Sequence, residues 1–75
     1  MKLLGNQKLG FSGVIKKIEC NDEDLQYRLM VLGFIEGTVV TIIHEALFSD
    51  PIAIRLNNQC TIALRRKEAS YIIVD

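Results

Sequence analysis

The side chains closest to a recognisable metal-ligand set are His44, the only histidine, with Glu45 and Asp50 nearby, and two cysteines, Cys20 and Cys60. A transition-metal site needs three or four such donors converging on one point. His44 and Glu45 are adjacent, and successive residues of a strand point to opposite faces, so the pair does not readily chelate one ion. The cysteines lack CxxC spacing, and no HExxH run is present. His44, Glu45 and Asp50 are therefore weak candidates for a divalent transition metal, and no cofactor is required. Asp22, Glu23 and Asp24 have the composition of an oxygen-rich cation site. Acids opening a helix are already explained, because they accept bonds from free backbone N–H groups and favour the positive end of the helix dipole. Covalent catalysis needs a nucleophile paired with a base, and the lone histidine has no serine or cysteine in a known context. The five glycines are scattered, with no GxGxxG or GxxxxGK[ST] phosphate loop. The chain is read as a non-enzyme.

Other residues suit binding. Ala46-Leu47-Phe48 puts three apolar side chains in a row within an expected loop, Glu45 to Pro51. Either Leu47 or Phe48 folds back to plug the core, or the pair stands out as a hydrophobic anchor. Tyr27 and Met30, on the surface of an expected helix, extend the candidate contact patch. Arg65-Arg66-Lys67, with Arg55, is the basic cluster. It is small and lacks the interleaved aromatics that would stack on bases, so nucleic acid is not the expected partner. Guanidinium groups also make charge-assisted bonds to carboxylates, which makes Arg65 and Arg66 candidates for an acidic protein surface. On this reading, Arg65→Glu with Arg66→Glu weakens partner binding without unfolding the protein.

Composition bounds the remaining choices. Seventy-five residues make one expected domain, 1–75, which buries only about 60% of the surface of its unfolded chain. With 49% hydrophobic and 24% charged residues the chain can fold, but it has little volume for both a core and a substrate cavity. Nine basic and nine acidic residues give zero net charge, unlike the positive excess of a nucleic-acid binder. Near-neutrality eases self-association without pointing to a dimer, so the oligomeric state stays open. No stretch approaches the roughly 20 apolar residues that span a bilayer, and Met1 to Lys8 is too short and polar for a secretory signal. The expected location is cytoplasmic, without direct membrane insertion, and the cysteines are expected to be reduced and in the core.

The elements that must position these residues read as strand, helix, then four strands. Phe11 to Cys20 suits a strand near a sheet edge. Leu25, Leu29 and Leu32 recur at i, i+4 and i+7 in a helix over 22–32, with Gly33 where a left-handed C-terminal residue is wanted. Thr38 to His44 is apolar on both faces, as expected where a barrel closes. Ile52, Ile54 and Leu56 alternate with Ala53 and Arg55, and Asn57-Asn58 forms the turn to a return strand carrying Cys60, Ile62 and Leu64. Arg65 to Ser70 makes one helical turn, and Tyr71 to Val74 a last strand. About five short strands cannot build an open sandwich, whereas closure removes exposed edges. The expected fold is mainly β: a small SH3-like β-barrel with one short inserted α-helix.

Three segments in order, RLMVLGFIEGTVV (28–40), FSDPIAIRL (48–56) and IALRRKEASYIIV (62–74), together with FSGVIKKI (11–18), resemble the ferrous-iron transport protein A (FeoA) family over nearly the whole chain. The resemblance implies an SH3-like barrel and a cytoplasmic accessory role in bacterial ferrous-iron uptake. The implied partner is the cytoplasmic part of the large membrane ferrous-iron transporter (FeoB-like), and any bound metal would be Fe2+ or Zn2+, held weakly. The same barrel closes iron-dependent repressors of the diphtheria-toxin-repressor kind, so the alternative is a regulatory barrel that senses a divalent metal or associates with a repressor.

Overall fold

The computed structural model describes residues 2–75. Six antiparallel strands form one sheet: β1 (Lys2–Leu3), β2 (Ser12–Ile18), β3 (Val39–Glu45), β4 (Ile52–Leu56), β5 (Cys60–Leu64) and β6 (Ile72–Val74). Their spatial order is β1-β6-β2-β3-β4-β5. The sequence reading gave five strands and missed β1, whose two residues are too few to show a period of two. That reading also put the Phe11–Cys20 segment near an edge, but β2 lies between β6 and β3. Its first half pairs with β3, through Ser12 to Val14, and its second half with β6, through Ile15 to Ile18. The register shifts between Ile15 and Lys17 at the changeover. Such a bulge bends a strand, which lets one strand serve both halves of a strongly curled sheet.

Helix α1 (Glu23–Leu32) follows β2. Asp22 caps it: its Oδ1 accepts the backbone N–H groups of Asp24 at 3.0 Å and Leu25 at 3.2 Å. At the other end Gly33 sits at φ 112°, its N–H donating to Met30 O and that of Phe34 to Leu29 O. This double-bonded left-handed ending satisfies carbonyls that the last turn leaves free. Leu29 is fully buried and Leu25 packs against the core, but Leu32, expected on the same face, is exposed. Phe34, turned inward by the Gly33 ending, is buried at that end instead.

The core gathers Ile15, Val40, Ile42, Ile52, Ile54 and Leu56 from the strands, joined by Leu29 and Phe34. Alternation in β4 is clean, with Ile52, Ile54 and Leu56 inward. β3 is less two-sided than its composition suggests: Val40 and Ile42 are buried, while Val39 on the other face is exposed. Leu4, in a 3-10 turn over Leu4–Asn6, and Ala69, in the short helix α2 (Arg66–Ala69), also reach the core. The two approach closely, since a Cβ on Gly5 would collide with the backbone of Arg66 and Ser70. Neither cysteine is in the core: Cys20 is half-buried, Cys60 is exposed at the start of β5, and both are free. Cys60 sits where the Asn57-Asn58 turn lifts the strand into solvent, so strand alternation does not bury it.

Candidate functional site

The connection between β3 and β4 carries the most exposed apolar side chains of the described chain. Leu47 is 79% and Phe48 91% exposed. Neither folds back to plug the barrel; both side chains stand out in solvent. Leu47–Ser49 form a kinked turn with Phe48 outside helical geometry, and the loop is closed by Ser49 N–H on Ala46 O and Ala46 N–H on Pro51 O, both at 2.9 Å. Phe48 and Ser49 lie at φ 62° and 67°, in the left-handed region where a Cβ meets the carbonyl.

Arg66 holds this loop from beneath. Its Nε donates to Ser49 O at 2.7 Å and its Nη2 to Glu45 Oε2 at 2.9 Å. Its Nη1 donates to the carbonyls of Gln7, at 2.7 Å, and Gly5, at 3.1 Å. Its backbone N–H donates to Asp50 Oδ1 at 2.9 Å. The side chain is only 23% exposed. A planar guanidinium presents five N–H donors in a fixed fork, and this one spreads them over three chain segments.

The structure therefore separates neighbours that the sequence grouped. Arg65 is exposed, and its backbone N–H is held by Glu68 Oε1 at 3.0 Å. Arg55 and Lys67 are exposed too, whereas Arg66 faces inward. The expectation that a double Arg65→Glu, Arg66→Glu change spares the fold does not suit this geometry. A carboxylate at position 66 would face Glu45 and three carbonyl oxygens, leaving like charges and unpaired acceptors in a half-buried place.

The metal candidates are likewise engaged. Glu45 and Asp50 both turn to Arg66, and His44 is exposed on β3. Among the described residues, no group of three His, Cys, Asp or Glu side chains is placed to hold an ion. This donor set does not fit a tight metal centre, since Glu45 is paired with the Arg66 guanidinium and Asp50 with the Arg66 backbone N–H.

A second exposed apolar surface lies on α1. Tyr27 and Val31 are each 65% and Met30 50% exposed, and Ile35 follows beyond the helix. Met30 borders two shallow depressions, one with Lys17, Ile18, Gln26 and Glu36, the other with Glu23 and Tyr27. The helix is tied to α2 by an exposed pair, Arg28 Nη2 to Glu68 Oε2 at 2.7 Å. Sequence reasoning missed the Arg66 clamp. Its signal, an arginine opening a helical turn, does not differ from that of Arg65 until the N-terminal segment is placed against it.

A small SH3-like barrel with an inserted helix and an exposed apolar loop defines the class. The sequence matches the FeoA domain family over residues 2–75, and the chain belongs to that family. Iron(II) transport protein A from Clostridium thermocellum is 32% identical with a TM-score of 0.86, over 99% of this chain and 44% of that one. FeoA from Chlorobium tepidum is 27% identical with a TM-score of 0.81, over 97% of this chain and 68% of that one. FeoA from Stenotrophomonas maltophilia, solved with zinc, is 24% identical with a TM-score of 0.86, over the whole of this chain and 91% of that one. No curated protein matches the sequence significantly. A manganese-dependent transcriptional repressor shares the fold at 18% identity and a TM-score of 0.88, this chain spanning 35% of its length. Membership in this family ties the chain to ferrous-iron transport. Among the described residues no helix is long and apolar enough to cross a membrane.

Proposed function

We propose that the protein is a cytoplasmic accessory module that docks on the cytoplasmic part of the membrane ferrous-iron transporter, with the Leu47-Phe48 loop as its anchor. The observation that carries this reading is Phe48, an aromatic side chain 91% exposed on a loop that is hydrogen-bonded at its base. An aromatic ring on a pre-ordered loop loses little conformational entropy on burial, which is how a few residues come to dominate an interface. Tyr27 and Met30 on α1 supply further apolar area, and Arg65 a charge at the rim, where it steers association more than it adds affinity. The test is a 15N-resolved NMR titration with the soluble cytoplasmic region of the transporter from the same source. Saturable shifts centred on Leu47 and Phe48 support docking; no shifts at high partner excess would remove it.

A regulatory barrel that senses a divalent metal is the second reading, favoured by the zinc found with the Stenotrophomonas protein of the same fold. In this chain such binding would be weak and would centre on exposed His44, because Glu45 and Asp50 already serve Arg66. A Zn2+ or Fe2+ titration that leaves the His44 ring resonances unmoved would dispose of it.

A further inference from the structure

We infer that Arg66 is a positioning residue: it locks the Leu47–Ser49 loop and the Gly5–Gln7 segment into one rigid unit, and so sets how Phe48 is presented. The inference rests on the docking reading for its functional meaning, but its physical content can be tested on the protein alone. The loop's own bonds are few, Ser49 N–H to Ala46 O and Ala46 N–H to Pro51 O, and its two outermost side chains pack on little. A segment held so lightly, with Phe48 and Ser49 both in the left-handed region, has little local reason to keep one conformation. What distinguishes it is the bond from Arg66 Nε to the Ser49 carbonyl, reinforced on either side through Glu45 and Asp50. The same guanidinium also holds the carbonyls of Gly5 and Gln7, 61 and 59 residues away in sequence. Its stem is anchored in turn, because α2 sits on the core through Ala69. One planar group thus joins two surface segments to a fixed base. Four bonds leave a guanidinium little freedom to move with only one of its partners.

Lysine cannot reproduce this arrangement. Its donors share a single nitrogen, so it can satisfy Glu45 while abandoning Ser49 or the Gly5–Gln7 carbonyls. The experiment is amide hydrogen exchange, resolved by residue, on Arg66→Lys, with Arg66→Met as the variant that lacks any donor. The expected result is a joint rise in exchange, about tenfold or more, at Ala46, Ser49 and Gln7, with Ile15 and Ile42 amides in the sheet unchanged. Arg28→Ala, which removes the exposed pair on the same short helix, should leave all five amides alone. Unchanged loop exchange in a folded Arg66→Lys protein overturns the inference. So does a common rise at every amide, which would make Arg66 a general contributor to stability.

A binding cycle supplies the second readout. Arg66→Lys should weaken transporter binding in the wild-type background and add nothing in the Phe48→Ala background, because it acts through the loop. Additive losses would overturn that route of action. If the wild-type protein does not bind at all, the docking proposal falls, and the exchange data alone decide whether Arg66 locks the two segments.

Discussion

Two connections in this molecule each place two consecutive non-glycine residues at positive φ and are built from opposite kinds of residue. The β4–β5 turn places Asn57 and Asn58 at φ 51° and 59°; the β3–β4 loop places Phe48 and Ser49 at φ 62° and 67°. Asparagine enters the left-handed region at small cost, since its short polar side chain bonds locally. Here Asn57 does more, accepting the Val39 N–H on its Oδ1 at 2.9 Å and donating its own N–H to Val39 O at 2.8 Å. Phenylalanine has no such compensation, and its ring projects into solvent. In the hairpin the residues agree with the backbone, which is how a sequence specifies a fold. In the loop they disagree, and this break of a local rule is what motivates the docking proposal for Phe48.

The largest expected effect on stability tests the hairpin. Asn57→Val loses both the tolerance of positive φ and the bond to Val39 N–H, and should lower folding stability by about 2–3 kcal/mol in chemical denaturation. A loss below about half that would mean the turn is not chosen for folding, and the contrast would collapse. Next comes the loop. Phe48→Ala should weaken binding to the transporter's cytoplasmic region by about 2 kcal/mol, roughly thirtyfold, with Leu47→Ala somewhat milder. Neither should shift the melting temperature appreciably, because both side chains are solvated; a falling Tm at constant affinity would assign the loop to folding instead.

A smaller effect of opposite sign sharpens the comparison. Phe48→Asn gives the loop the chemistry of the hairpin, and should raise stability by about 0.5–1 kcal/mol while still weakening binding. Stability and binding moving together would argue against the trade. Smallest of all, Arg65→Glu should change stability by less than about 0.5 kcal/mol, as an exposed site does, and slow association at low salt more than it raises dissociation. A large stability loss there would show that Arg65 shares the role of its neighbour.

Much of the frame was legible from residue order alone. The Asp22 cap, the Gly33 ending, the alternation in β4 and the Asn57-Asn58 turn are local devices, each readable within a few residues because its physics acts over that distance. The apolar run at Leu47-Phe48 was legible as a run, but its direction was not, since plugging a core and projecting from it require the same residue types. The place of β2 at the sheet interior depended on β6 arriving from the far end of the chain to pair with it opposite β3, which no local period records.

Sequence by itself therefore determined most of the elements, the turn chemistry and the family, all of which rest on short-range sterics, hydrogen bonding and patterning. Tertiary structure decided which of two adjacent arginines is surface and which is a clamp. It also decided that Glu45 pairs with the Arg66 guanidinium, that Asp50 accepts the Arg66 backbone N–H, and that Phe48 stands in solvent. Those outcomes depend on segments as distant as Gly5 and Arg66 meeting in space, and a hydrogen bond between them exists only once the core has brought their backbones together.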